Sequence, residues 1–188
     1  MQSSYAREKI KNMTLCGLFV ALIAAGAFIK IPVPVVPFTL QFLFTMLAGL
    51  LLGGKRGFMA VGIYIILGLA GLPIFSEGGG IAYVFKPSFG YIIGFAVGAF
   101  VTGAIANKKH SPGYGRLLAA NFIGLGIVYA FGMIYYYIIS NYFLGTPIGL
   151  WPLFLYCFIL AVPGDIVLCI VGALLGKRLI PMIKAEKI

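Results

Sequence analysis

Six long apolar segments follow one another along the chain, separated by short connections that carry most of the charged residues. They cover about residues 13–29, 38–54, 57–76, 88–107, 116–140 and 151–176. Each segment reaches or nearly reaches the roughly 17–25 residues that a helix needs to cross a bilayer. The pattern therefore predicts an all-α membrane protein, with six transmembrane helices in a single domain over residues 1–188.

Composition supports the membrane class. Of 188 residues, 62% are hydrophobic and only 10% are charged, and a soluble domain of this length cannot bury so much apolar surface. The net charge of +10 is compatible with a nucleic-acid partner. However, the basic residues lie between the apolar runs and not on one face of a soluble domain. We therefore expect a lipid bilayer, and no nucleic acid, as the partner of this surface.

The basic residues also predict the orientation. With a cytoplasmic N-terminus, 12 of the 14 basic residues fall on the cytoplasmic side, and only Lys30 and Lys86 fall outside. Cytoplasmic connections of membrane proteins carry an excess of lysine and arginine. The sequence therefore predicts a multi-pass protein with both termini in the cytoplasm.

Asp165 is the only acidic side chain inside the apolar segments. An ionisable group at such depth is costly to bury and usually marks a functional site. The small side chains of the last segment share its helical face, because they are spaced by three or four residues: Ala161, Cys169, Gly172 and Gly176. Asp165 is therefore expected to point into the bundle. A purely structural carboxylate that joins two helices remains the alternative.

Two segments carry small residues at every fourth position. These are Gly17, Ala21 and Ala25 in the first segment and Gly90, Gly94 and Gly98 in the fourth. Such stripes allow helix backbones to approach closely in a membrane. We expect the fourth segment to pack within the bundle. For the first segment, packing within the bundle and contact with another protein are both open.

The outer connections predict a binding site. Three prolines, Pro32, Pro34 and Pro37, favour an extended first connection, and Gly78 to Gly80 allow a close approach of the backbone to a ligand. Polar groups cluster towards this side: Thr39, Gln41, Ser76, Glu77, Tyr83, Lys86, Ser88 and Tyr91. Interleaved with phenylalanines, they suit a mostly apolar small molecule with a few hydrogen-bonding groups. Each aromatic residue alone is more typical of the membrane interface.

Catalytic chemistry is poorly supported. The four acidic residues are widely separated, the one histidine, His110, lies in a connection, and the three cysteines have no metal-ligand spacing. We therefore expect neither a metal nor a cofactor. A phosphate-binding loop for ATP is also missing. If the protein moves a solute by ATP hydrolysis, the ATPase is another chain.

Two segments, GGGIAYVFKPSFGYIIGF (78–95) and AVPGDIVLCIVGALLG (161–176), resemble the signature segments of the BioY family. Residues 17–41 and 48–57 resemble the first two helices of the same family. BioY proteins are the biotin-specific substrate-binding S-components of energy-coupling factor (ECF) vitamin transporters. The resemblance covers nearly the whole chain.

The resemblance implies six helices that bind biotin with high affinity from outside the bacterial plasma membrane. Its implied partners are a transmembrane coupling (T) subunit and two cytoplasmic ATP-binding cassette ATPases, so the chain itself is not expected to be an enzyme. Ala21 and Ala25, extended by Gly17, match the family's contact for the coupling subunit. Asp165 matches the acidic residue that holds the ureido N–H groups, and Tyr91 matches a ligand position.

Two positions depart from the family pattern. Leu168 stands where the family often has a lysine, and Lys86-Pro87-Ser88 replaces a common glycine–proline–threonine. This exchange suggests that a lysine has moved from the helix to the loop. Lys86 is therefore assigned to the ligand carboxylate, with Lys30 as the other available cation.

Two other functions remain open at this point. A proton-coupled secondary carrier would use Asp165 as its proton site, although no second intramembrane ionisable group or obvious internal repeat supports it. A purely structural membrane subunit would bind no small molecule at all.

Overall fold

The computed structural model describes residues 2–31, 38–109 and 111–185, and within them the chain is almost entirely helical. Seven α-helices follow in order: α1 (Gln2–Phe28), α2 (Gln41–Leu52), α3 (Gly54–Leu69), α4 (Phe89–Ala106), α5 (Tyr114–Tyr142), α6 (Leu150–Phe154) and α7 (Val162–Ala185). A 3-10 turn covers Ile81–Phe85, and a π-helical turn, Leu155–Ile159, follows α6. The predicted all-α class is confirmed.

Two short strands close one end of the bundle. β1 (Lys30–Ile31) pairs with β2 (Phe38–Thr39) in antiparallel register. We call this the strand end; the opposite end, where α1 begins and α7 ends, is the termini end. The predicted proline-rich connection lies between the strands, and Pro32, Pro34 and Pro37 fall outside the described residues, as does His110.

Four helical stretches of the described chain are long and apolar enough to cross a membrane: Ala6–Phe28, Phe89–Ala106, Tyr114–Tyr142 and Leu150–Ile183. α2 has 12 residues and α3 has 16, or about 18 and 24 Å of helix at 1.5 Å per residue. Both are shorter than a hydrocarbon core of about 30 Å. The fold is thus a multi-helix membrane bundle, and the crossing of the bilayer by all six predicted segments stays a prediction.

Glycines in left-handed conformations fix the limits of these short helices. Gly53 has φ of 86° between α2 and α3, and Gly71, just after α3, has φ of 113°. Side-chain-bearing residues avoid these values, whereas glycine adopts them at little cost. Consequently α3 begins at Gly54 and ends at Leu69, earlier than the predicted limits of about 57 and 76.

The small-residue stripe of α4 packs against α5, as predicted. A Cβ atom on Gly94 would lie 2.9 Å from Val128 Cα, and one on Gly98 would lie 3.1 Å from Val128 Cγ2. At Gly90 an added Cβ would collide with the side chain of Tyr135. The absence of side chains therefore lets the two helix backbones approach closely and pack, as small residues do at helix interfaces in membranes.

Substituting Gly94 by alanine is expected to lower the thermal unfolding temperature in detergent. The new Cβ presses on the Val128 backbone, which has little room to move, and such overpacking costs about 1–3 kcal/mol. Gly126→Ala on α5 is the matched control, because its added Cβ would meet nothing within 4 Å. Equal unfolding temperatures for the two variants would contradict the packing described above.

Candidate ligand-binding site

A cavity opens at the strand end between α2, α4, α5 and the start of α7. Five of the six ligand-site residues predicted from the sequence line it: Gln41, Tyr83, Ser88, Tyr91 and Asp165. Thr39 and Ser76, which belong to the same predicted polar cluster, also line it. The structure thus brings together polar groups that are more than 120 residues apart in sequence, and their role in binding stays a prediction.

Asp165 lies in the first turn of α7 and is only 8% exposed. Its neighbours on the small-residue face, Cys169 and Gly172, are buried too, whereas Val167 and Ile170 face outwards. The inward direction predicted from the helical spacing is therefore confirmed. The carboxylate faces the cavity instead of the lipid.

Tyr129 is the hydrogen-bond partner of Asp165. Its hydroxyl donates to Asp165 Oδ2 across 2.5 Å, and its ring packs edge-on against Phe158. Sequence reasoning missed this residue, because tyrosines were assigned to the membrane interface. One signal was present: Tyr129 lies near the middle of α5, far from either interface, where a polar hydroxyl needs a specific partner.

The helix that contains Asp165 is interrupted just before it. After the π-helical turn Leu155–Ile159, Leu160 and Ala161 form a turn, and α7 starts at Val162. Cys157 and Ala161, on either side of this break, line the cavity. The Tyr91 hydroxyl donates to Cys157 O across 3.4 Å, so that α4 is joined to the interrupted segment.

Two glycines, Gly132 and Gly164, leave space for aromatic rings in the wall of the cavity. A Cβ on Gly132 would collide with the ring of Tyr91, and a Cβ on Gly164 would lie 2.6 Å from the ring of Phe38. Both rings line the cavity. The Pro163-Gly164 pair ahead of the acid therefore lets strand β2 pack directly against the start of α7.

The side-chain amide of Gln41, the first residue of α2, is the second polar group held in place at the cavity. Gln41 Nε2 donates to Tyr64 Oη across 2.6 Å, and the Tyr64 hydroxyl donates to Ile74 O across 2.9 Å. Thr39 Oγ1 donates to Gln41 Oε1 across 3.4 Å. The amide is thereby held in one orientation at the wall of the cavity.

The rim of the cavity is built from the 3-10 turn and its neighbours. The Tyr83 hydroxyl lies 3.2 Å from Ser76 Oγ and accepts a hydrogen bond from Ser88 Oγ across 3.4 Å. Its ring packs on Phe75 with centroids 4.5 Å apart. Lys30 Nζ donates to Ser76 O across 3.0 Å, and this contact joins strand β1 to the rim.

Lys86 is the one predicted ligand residue that does not line the cavity. Its ammonium group lies 2.9 Å from Glu77 Oε2 and 5.2 Å from the centre of the Tyr83 ring, and both side chains of the ion pair are about two-fifths exposed. Leu168, at the position where a lysine was considered, is 8% exposed and also lies outside the lining. Among the described residues that line the cavity, Asp165 is therefore the only charged one.

The small-residue stripe of α1 faces away from the bundle. Gly17, Ala21 and Ala25 are exposed, and an added Cβ on Gly17 would meet nothing within 4 Å. The opposite face of α1 is buried through Phe19 and Ile23. The stripe is thus available to lipid or to another protein, and it is not used for packing inside the described chain.

Comparisons with known proteins all find similarity to BioY or biotin-transport proteins. Residues 1–185 match the BioY family. A probable biotin transporter BioY from Lysinibacillus sphaericus is 44% identical over 181 residues, which cover 96% of this chain and 92% of the relative. The biotin transporter BioY from Thermotoga maritima is 45% identical over 125 residues, 66% of this chain and 73% of the relative. The crystal structure of the S-component for biotin from an ECF-type ABC transporter matches with a TM-score of 0.76 and 29% identity, covering 92% of each chain.

Proposed function

The chain belongs to the BioY family, and from that premise we propose that it captures biotin as the substrate-binding S-component of an ECF-type vitamin importer. Its relatives are named as biotin transporters, and the similar solved structure is an S-component for biotin. The observation in this chain that carries the proposal is the buried carboxylate of Asp165, which faces a cavity whose other described lining residues are uncharged.

The cavity chemistry suits the biotin head group. A ureido ring presents N–H donors, and its fused sulfur-containing ring is apolar. Tyr129 donates to Asp165 Oδ2, and no described residue donates to Oδ1, so this oxygen is available to a ligand N–H group. A hydrogen bond to an ionised carboxylate is stronger than one between neutral groups. We assign Asp165 to the ureido group and the aromatic walls to the rings.

The ligand carboxylate is proposed to lie towards the rim. The two basic residues of the strand end are there: Lys30 contacts Ser76, and Lys86 lies over Tyr83. We propose that Lys86 meets the carboxylate by exchanging its partner Glu77 for the ligand. Because this ion pair is partly exposed, exchanging it costs little.

The energy for transport is proposed to come from other chains. The sequence has no phosphate-binding loop for ATP. We propose a transmembrane coupling subunit and two cytoplasmic ATPases as partners, with the exposed α1 stripe as the contact for the coupling subunit. Six membrane crossings and both termini in the cytoplasm complete the proposal; the described basic residues are concentrated at the termini end, as the positive-inside rule requires.

Mass spectrometry of the purified chain tests this function. Protein from biotin-supplied cells is expected to release biotin on denaturation, and the emptied protein is expected to rebind it in calorimetry with one site per chain. A mock purification from cells without the chain is the control. A folded protein that neither carries nor rebinds biotin would overturn the proposal.

A further inference from the structure

A groove between α1 and α3 lies outside the ligand cavity, and it shares one residue, Gly17, with the α1 stripe of the function proposed above. The two helices run in the same direction from the termini end, and six apolar side chains line the groove, three of them exposed and three half-buried. Met13 and Met59 are 65% and 57% exposed, and Ile63 is 42% exposed. In a bilayer these surfaces contact lipid chains.

The groove has a cationic end. Lys9 on α1 and Arg56 on α3 lie among its lining residues, both within the part of the chain next to the termini end. Glu8 is the one acidic residue of the lining, and it has an interaction partner of its own. The net charge of the lining is therefore positive, and its positive charges lie where the phosphate groups of a leaflet would be.

The depth of the groove matches one leaflet. On α1 the lining runs from Glu8 to Val20, and on α3 it runs from Arg56 to Leu67. The α1 path covers twelve residue steps and the α3 path eleven, or about 18 and 17 Å at 1.5 Å per residue. Half of a hydrocarbon core of about 30 Å is close to these lengths. Each wall thus has a cation within its first two residues and ends near the middle of the bilayer.

Gly17 gives the groove its concave floor. Because it has no side chain, and because an added Cβ would meet nothing within 4 Å, α1 leaves an open space at this level. Basic pockets between membrane helices are known sites for anionic lipid head groups. A flat or convex surface would only touch the lipid chains around it, whereas a concave one can retain a single chain.

We propose that this groove binds one anionic phospholipid of the leaflet at the termini end, with its phosphate at Lys9 and Arg56 and an acyl chain along Met13, Met59 and Ile63. The two cations at one end, the apolar walls and the matching depth fit the head group and one acyl chain of a lipid. The bound lipid then covers Gly17 and lies beside Ala21 and Ala25, the other two residues of the α1 stripe.

Native mass spectrometry with added lipids tests the proposal. The probes are phosphatidylglycerol and phosphatidylcholine with identical acyl chains. The first phosphatidylglycerol is expected to bind at least tenfold more tightly than phosphatidylcholine. In the double variant Lys9→Gln/Arg56→Gln this affinity should fall about 10- to 30-fold, since each cation near a membrane surface contributes about fivefold. The control Lys55→Gln/Lys108→Gln removes the same charge from exposed residues outside the groove and should change affinity less than twofold.

A second pair of variants tests whether the apolar part of the groove holds the acyl chain. Ile63→Trp fills the groove and should weaken lipid binding at least fivefold, whereas Ile66→Trp, on an exposed position of α3 outside the lining, should not. Unfolding temperatures identify any misfolded variant. Equal losses for both charge variants, or no preference for the anionic lipid, would overturn the proposal. If Ile63→Trp spared lipid binding but abolished co-purification with the coupling subunit, the groove would be a protein interface instead.

Discussion

Asp165→Asn is expected to weaken biotin binding by about 10- to 100-fold, the largest effect of any single change in the cavity. The substitution keeps the size of the side chain but removes its charge and turns one acceptor oxygen into a donor amide. Hydrogen bonds to charged groups contribute about 1.5–3 kcal/mol, and the ligand N–H groups lose such a bond. In the wild-type protein the Tyr129 hydroxyl donates to Asp165 Oδ2. An amide nitrogen at that position cannot accept this hydrogen bond, so the pairing with Tyr129 is disturbed as well.

Titration calorimetry on purified protein measures this effect. Tyr129→Phe should cause a smaller loss, about three- to tenfold, because it removes the group that orients the carboxylate but leaves the acceptor in place. Tyr142→Phe is the matched control on the same helix, since Tyr142 is 73% exposed and outside the cavity. Wild-type affinity in a folded Asp165→Asn protein would show that the carboxylate is structural and not a ligand group.

The double substitution Ala21→Phe/Ala25→Phe is expected to reduce co-purification of the coupling subunit by more than tenfold and to leave biotin binding unchanged. Both alanines are exposed, so that phenylalanine fits without disturbing the bundle. Close contact between membrane helices depends on small residues at the crossing point. Two large rings on the stripe separate the helices and remove most of their packing contacts.

Pull-down of the co-expressed complex, with biotin binding measured on the same samples, is the readout. Ala130→Phe on α5 is the control, because Ala130 is likewise an exposed alanine of a long membrane helix. Undiminished recovery of the coupling subunit with the double variant would remove α1 from the interface. Loss of biotin binding in parallel would point to a folding defect instead.

Periodicity predicted the features that depend on one helix alone. The inward face around Asp165 and the close packing at Gly94 follow from spacings of three and four residues, and the structure confirms both. Such spacing determines which residues share one face of a helix, whatever the neighbouring helix is. The topology and the family resemblance predicted that polar residues near the outer connections would lie together, and five of the six chosen residues line one cavity.

Features that depend on how two helices pack together could not be predicted from the sequence. Nothing in the segment around Tyr129 indicates that α5 meets α7 at the level of Asp165. Likewise, the ion pair with Glu77 that holds Lys86 away from the cavity depends on how the loop folds back. The limits of α3 depend on the positive φ angles of Gly53 and Gly71. A glycine permits such an angle but does not require it, so its presence in the sequence does not predict where a helix ends.

The interruption between α6 and α7 has an electrostatic consequence. Because α7 starts at Val162, the carboxylate of Asp165 lies in the first turn of a new helix and not in the middle of a continuous one. Aligned peptide dipoles place about half a positive elementary charge at such a start, which favours an anion there. This field offsets part of the desolvation of the carboxylate in a cavity whose described lining contains no cation. A helix that ran unbroken through Leu160 would have no free N–H groups at this level, and the acid would lose this part of its stabilisation.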